Sequence, residues 1–281
     1  MRLSIITVNL NNKEGLEHTL RSVFEQTDRD FESIVIDGFS NDGSRDVITA
    51  YQGQVKKWVS EKDSGVFNAM NKGIRMAEGE YVLFLNSGDC LDSPDTLANI
   101  FRHPFNEDLI LFDVKRVQKG GCEVHALNKD PKAVIISGPI FHQAVFHRRS
   151  VFQTLGLYNE TFKLAADYEL FLKAFFTAGC SYRIIHEVLS VYDNVYGLSS
   201  DIRNAELLHH ERRRAQRAVF TPELVDALEE QYRETESLRR FQSLYQGLLA
   251  SRTVKAALGV SAVLRRIRRV LGRKTPNSEV R

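Results

Sequence analysis

The sequence predicts an α/β fold, a mostly parallel sheet with helices on its faces, followed by a helical C-terminal extension. Three observations carry this. Two hydrophobic runs, FESIVIDGFSNDGS and EYVLFLNSGD, end abruptly in acid, amide and small residues, as buried parallel strands do where they stop in polar loops. Over the first hundred residues such runs alternate with segments of helical period, which implies right-handed crossovers between parallel strands. After residue 200 strand signals vanish and the chain becomes charged and helical.

Taken in order, residues 3–9 (LSIITVN) read as the first strand. Residues 11–26 read as a helix with Leu16, Leu20, Val23 and Phe24 on one face. The second strand is 31–37, and a helix begins near the Asp42-Gly43-Ser44 turn. KKWVSE (56–61) is a short third strand. Residues 64–77 are helical, because Phe67, Met70, Ile74 and Ala77 recur at spacings of three and four. The fourth strand is 80–86, followed by a helix over 93–101 with Pro94 in its first turn. From 108 the pattern is more mixed. LILFDVKRV, Gly120-Gly121 and CEVHAL read as a hairpin, AVFHRR as a strand, and helix-length segments return at 150–155 and 167–178. We assign 1–200 to one sheet-based domain, 201–252 to a helical extension with its helix over 204–249, and 253–281 to a basic amphipathic helix and tail.

Composition bounds the function. The chain has 281 residues, 43% hydrophobic and 26% charged, an ordinary globular mix. A net charge of only +2 argues against a nucleic-acid-binding field and thus against a nucleic-acid partner. Cys90, Cys122 and Cys180 are far apart with no CxxC, which points to a reducing compartment and no zinc site. No stretch reaches the length of a membrane span, and MRLSIITVNLNN lacks the regions of a signal peptide, so cytoplasmic residence is expected.

In an open α/β sheet the carboxyl ends of the strands form the ligand crevice. Acids there can meet a ribose, a base, or a metal ion carrying a diphosphate, so the chain reads as a nucleotide-using enzyme. The loop after the first strand, TVNLNNKEG, has no GxGxxG, which makes a bound NAD improbable. A nucleotidyltransferase, a second alternative, should show a glycine-rich, basic phosphate loop at the same place, and this chain does not.

The motifs LSIITVN, IVIDGFSNDGS, SEKDSGVFNAMNKGI, YVLFLNSGD, AADYEL and YGLSS, in this order over residues 1–200, resemble the bacterial family 2 glycosyltransferases of exopolysaccharide and O-antigen assembly. The resemblance implies a GT-A fold, a nucleotide-sugar donor and inversion at the anomeric carbon. It implies that Thr7 and Asn9 line the crevice beside the nucleoside and that Asp37 and Asp63 contact the base or ribose. Relatives often carry a second acid where this chain has Gly38. On the helix 64–77, Asn68, Asn71 and Lys72 share a face that can turn to the donor. The family's metal signature, Asp-x-Asp or Asp-x-Asp-Asp, appears here as Asn86-Ser87-Gly88-Asp89. Asp89 remains as the anionic ligand for Mg²⁺ or Mn²⁺, with Asn86 offering a neutral carbonyl. Asp167 stands where the family places its catalytic base, preceded by Ala166 where an acid is usual. His142 and Gln143 fall on the acceptor side, and Gly197–Ser200 resembles the loop that closes over the donor phosphates.

Each residue has a plainer alternative. Asp37, Asp63 and Asp89 can cap the helices that follow them, and Asp167 can be a helix N-terminal acid favoured by the macrodipole. Lys72 can be a solvated lysine and His142 a structural histidine. The thinned acids at Gly38, Asn86, Gly88 and Ala166 also fit a catalytically inert paralogue serving as an assembly partner.

In the C-terminal segment Val260, Leu264, Ile267 and Leu271 recur along one helical face, while Lys255, Arg265, Arg266, Arg268, Arg269 and Arg273 crowd the remainder. No acid occurs between 253 and 274. Such a helix can lie on an anionic membrane surface, a peripheral site at the inner face of the cytoplasmic membrane that suits a lipid-linked saccharide acceptor. The alternative is a helix packed on the domain or in a homo-oligomer.

Overall fold

The computed structural model describes residues 1–118, 121–193 and 201–250. Its elements are β1 (Leu3–Asn9), α1 (Lys13–Phe24), β2 (Phe31–Asp37), α2 (Ser44–Ala50), β3 (Lys57–Ser60), α3 (Val66–Met76), β4 (Tyr81–Phe84), β5 (Cys90–Leu91), α4 (Thr96–Ile100), β6 (Leu109–Gln118), β7 (Gly121–His125), α5 (Pro131–Ser137), β8 (Val145–Arg148), α6 (Arg149–Leu155), α7 (Ala166–Leu172), β9 (Tyr182–Asp193), α8 (Ala205–Arg217) and α9 (Pro222–Ala250). These strands form one sheet in the order β3-β2-β1-β4-β8-β6-β9-β5, with β7 paired to β6.

The first half is parallel: β1 pairs with β2 and β4, and β2 with β3. Both faces of these strands are covered, which is why they read as continuous apolar runs. Leu3 and Ile5 of β1 face one core layer with Leu16, Leu20, Val23 and Phe24 of α1. Ile6 and Val8 face the other, with Phe67, Met70 and Ile74 of α3 and the adjoining Ala77. The periodic faces expected for the two helices are therefore the ones that pack. Gly73 interrupts α3 because a Cβ there would lie 2.4 Å from Ile6 Cγ2, so close packing on β1 outweighs the ordinary helix cost of glycine.

The second half is mixed. β8 runs antiparallel between β4 and β6, and β9 pairs in parallel with β6. The sequence reading assigns no element to β5, α5 or β9. Two residues carry no period, and in β9 the polar residues Arg183, His186 and Glu187 break the apolar run until β6 supplies its pairing. The helix expected over 167–178 is α7 followed by a π-helical turn at Lys173–Thr177. The helix expected over 204–249 divides into α8 and α9, which begins at Pro222, a residue suited to a first helical turn because it lacks an N–H to satisfy.

The chain divides into two compact units, Met1–Phe220 and Thr221–Arg281. The first unit includes α8, which buries Ala215 in the α3-side core, with Leu208 packed against it. Gly197–Ser200 and the basic segment 253–281 lie outside the described residues. Among the described residues no helix is long and apolar enough to cross a membrane.

One buried titratable group yields a stability prediction. His147 of β8 is fully buried between Phe84, Phe152 and Phe171. Burial, helped by the charge of His142, pushes its pKa from the ordinary 6.5 down to about 3. The unfolded chain takes up this proton below 6.5 while the native chain resists it, so the contribution is complete above 6.5 and falls with pH by about 1.4 kcal/mol per unit. Urea midpoints at pH 7.5 and 5 should show His147→Phe losing about 2 kcal/mol less than the parent over that interval. Equal losses in both proteins would show that His147 does not set the acid slope.

Candidate active site

A cleft of about 970 Å³ opens at the carboxyl ends of β1 to β4, where Asn9, Gly38, Asp63 and the segment Asn86–Asp89 meet. Phe141–Gln143, Lys163–Ala165, Asp167 and Tyr168 also line it. A cleft at the carboxyl ends of the strands is the place expected of a ligand crevice in an open sheet.

The Asn86–Asp89 segment is held from α1. Asn12, which caps α1 by accepting the Gly15 N–H at 3.1 Å, also donates to the Ser87 carbonyl at 3.0 Å. Thr19 Oγ1 donates to the Asp89 carbonyl at 2.6 Å and accepts the Gly88 N–H at 3.0 Å. Gly88 has φ +108°, a conformation that L side chains rarely adopt, so this turn itself disfavours an acid at that position. Asp89 lines the cleft and is 8% exposed. Asn86 Oδ1 is buried without a hydrogen-bond partner.

Asp167, in the first turn of α7, lines the same cleft. Its Oδ1 accepts the Tyr168 N–H at 2.8 Å, and its Oδ2 lies 3.2 Å from His142 Nδ1. His142 Nε2 in turn lies 3.3 Å from Asn86 Nδ2. A chain of contacts thus runs from Asn86 through His142 to Asp167. Burial lowers the His142 pKa, but the hydrogen bond and charge of Asp167, with the charge of Asp89, raise it to above its ordinary value. Gln143 is buried on the same wall, and its carbonyl accepts Ser190 Oγ at 2.7 Å.

Of the other expected site residues, Asp37, Thr7, Asn71 and Lys72 do not line the cleft. Asp37 is fully buried: its Oδ1 accepts Asn9 Nδ2 at 2.8 Å and Ser40 Oγ at 2.6 Å, and its Oδ2 accepts Ser40 N–H at 3.0 Å and Ser60 Oγ at 2.6 Å. Burial raises its pKa, but these bonds to Ser40, Ser60 and Asn9 outweigh that and lower it. In this conformation the carboxylate ties the ends of β1, β2 and β3 together. Thr7 is buried in β1 and does not line the cleft. Asp63 does line it, braced by Lys72 Nζ at 2.6 Å. Lys72 also meets Glu61 at 2.7 Å, so it holds the Asp63 loop and does not reach the cleft. Asn71 is likewise turned away. Its amide donates to Tyr158 O and Glu160 Oε1 and accepts the Tyr158 N–H, which satisfies a buried side chain in full.

The cleft also contains residues that the sequence reading passes over, among them Leu10, His18, Lys163 and Arg212. Arg212 lies in α8 with its guanidinium 5.4 Å from the centre of the Tyr168 ring. The sequence signal for this helix is slight: Leu208, Glu211 and Ala215 fall on one face, but that Glu211 is buried there is seen only in the structure.

Among the described residues no group of three or more His, Cys, Asp or Glu could hold a metal ion. What the cleft offers a divalent cation is the Asp89 carboxylate and the orphaned Asn86 Oδ1. For Mg²⁺ that donor set suffices when phosphate oxygens and water complete the shell.

Comparison with known proteins identifies the family and the fold. Residues 4–187 match the model of glycosyl transferase family 2. A "PGL/p-HBAD biosynthesis glycosyltransferase" of Mycobacterium tuberculosis is 32% identical over 215 residues, 73% of this chain and 82% of that protein. The poly(ribitol-phosphate) beta-N-acetylglucosaminyltransferase TarP of Staphylococcus aureus is 32% identical over 196 residues, 65% of this chain and 60% of that one. Among solved structures, S. aureus TarS 1-349 in complex with UDP-GlcNAc superposes with a TM-score of 0.65 at 19% identity, covering 94% of this chain and 78% of that one. The mannosyltransferase PcManGT of Pyrobaculum calidifontis, in complex with GDP-Man and Mn²⁺, gives 0.54 at 18% identity, over 97% and 88%. The fold is that of the GT-A glycosyltransferases, and by its sequence match this chain belongs to glycosyl transferase family 2.

Proposed function

We propose that this protein transfers a sugar from a nucleotide-sugar donor to a hydroxyl of a saccharide acceptor, lipid-linked, in cell-surface polysaccharide synthesis, with inversion at the anomeric carbon. One observation supports the reading: Asp167 and Asp89, the two acids that the sequence singles out for chemistry, line one cleft at the strand ends.

Asp167 accepts the proton of the attacking hydroxyl. Its two oxygens each have one partner, Tyr168 N–H and His142, which orient the carboxylate and leave lone pairs for the acceptor. His142 keeps that orientation, itself steadied by Asn86. Asp89 and Asn86 would hold a divalent cation, Mg²⁺ or Mn²⁺, which when bound neutralises charge on the departing nucleoside diphosphate. Asn9 and Asp63 bound the donor end of the cleft, with Asp37, Asn71 and Lys72 supporting it from behind. A single base suffices for inversion.

The experiment is incubation of the full chain with a panel of nucleotide sugars and saccharide acceptors, with Mn²⁺ present. We expect turnover of one donor and a product of inverted anomeric configuration by NMR. Retention would overturn the single displacement. A chain that binds donors in thermal-shift measurements yet neither transfers nor hydrolyses them would instead be the inert assembly partner.

A further inference from the structure

We propose that Glu211 is a positioning residue of the transfer reaction, a carboxylate on α8 that fixes the wall carrying Asp167; this rests on Asp167 being the base. Glu211 is 3% exposed on the inward stripe of α8. Its Oε1 accepts the Lys163 N–H at 2.7 Å, and its Oε2 accepts the N–H groups of Leu164 at 2.8 Å and Ala165 at 3.0 Å. Three consecutive backbone donors therefore converge on one side chain 46 to 48 residues away.

Those donors lead directly into α7. The helix begins at Ala166, and Ala165 before it offers no side-chain cap. Helix starts need acceptors for their N–H groups, and here a distant carboxylate serves the turn that leads in. Bonds to an ionised acceptor are the stronger kind. The grip continues past Asp167, where Tyr168 Oη accepts Gln216 Nε2 at 2.8 Å and Gln216 Oε1 accepts Arg213 Nη1 at 3.1 Å. Thus α8 holds the chain on both sides of Asp167. The match to the family ends at residue 187, so this support comes from a helix beyond it.

The geometry also explains why glutamate stands at 211. Aspartate is one methylene shorter and cannot span three donors from the same backbone position. Glutamine would set an NH₂ against an N–H. Misplacement of a reacting group by about 1 Å can cost on the order of 10²-fold in rate, so a slack 163–165 loop should be felt in turnover before it is felt in donor binding.

The test uses the full chain with Glu211→Gln and Glu211→Asp, and Arg214→Ala as control. Arg214 donates to Thr161 Oγ1 at 3.0 Å and stacks on Phe162, so the control loosens the neighbouring stretch without touching the cleft. We expect Glu211→Gln to lower kcat about 10- to 10²-fold with donor KM within about twofold. Glu211→Asp should regain part of the rate, and Arg214→Ala should lose stability but keep kcat. Hydrogen exchange by mass spectrometry should show faster exchange at amides 163–165 in both Glu211 variants. Wild-type kcat in Glu211→Gln, an equal loss in the control, or unchanged exchange would overturn the proposal. Should Glu211→Gln fail to fold, Glu211→Asp is held to the same criteria. If the parent protein transfers no sugar, the transferase reading itself fails, and exchange alone then decides whether Glu211 holds the loop.

Discussion

Replacing Asp167 with asparagine should lower kcat by roughly 10²–10⁴-fold, the range for loss of a positioned general base. The change is nearly isosteric. Asparagine can keep an oxygen on the Tyr168 N–H and remain beside His142, so the wall of the cleft should survive. What it loses is a group able to take a proton. Donor affinity measured by calorimetry should therefore stay close to that of the parent while turnover falls. A collapse of donor binding in Asp167→Asn would reassign the residue to binding or structure. Loss of rate with donor binding intact would leave proton acceptance as its task.

Asp89→Ala should have an effect of similar size by a different route. A bound divalent cation contributes several kcal/mol of charge stabilisation, and each 1.4 kcal/mol is tenfold in rate, so transfer should fall by at least about 10²-fold. The fold should hold, because the turn is kept by Asn12 and Thr19 through backbone groups. Turnover measured with Mn²⁺ and with EDTA checks the assignment. Full activity in the chelator, or an unimpaired variant, would remove the metal role from Asp89. Asn86→Asp is informative alongside it: a second carboxylate there would face His142, whose opposite nitrogen already meets Asp167.

The first half of the fold was readable because its packing is local in kind. β1, β2 and β4 are covered on both faces, so they are dominated by apolar residues until the strand ends, and the polar Ser4 and Glu32 are paired with each other. α1 and α3 each bury one stripe, so their periods show. The ends of those strands, at Asn9, Asp63 and Asn86–Asp89, could be marked as a crevice for the same reason. The second half was less readable. β8 enters the sheet between β4 and β6, and β9 is defined by its partner more than by its own period. The role of α8 was hidden because a charged helix reads as solvated, whereas Glu211 and Arg213 are buried.

By itself the sequence determined the class of the fold, and it marked the strand ends where the cleft lies and two acids, Asp89 and Asp167, that line it. These depend on burial patterns and on where strands stop. Only the tertiary structure decided which polar residues near the crevice are free to meet a ligand. Asp37 spends both oxygens on its neighbours, including Asn9, 28 residues distant, and Asn71 is committed to Tyr158, 87 residues distant. A buried polar group must find a partner, and which partner is within reach depends on chain segments brought together from far apart. That is the reason for the division: burial leaves a local pattern in the sequence, and partnership does not.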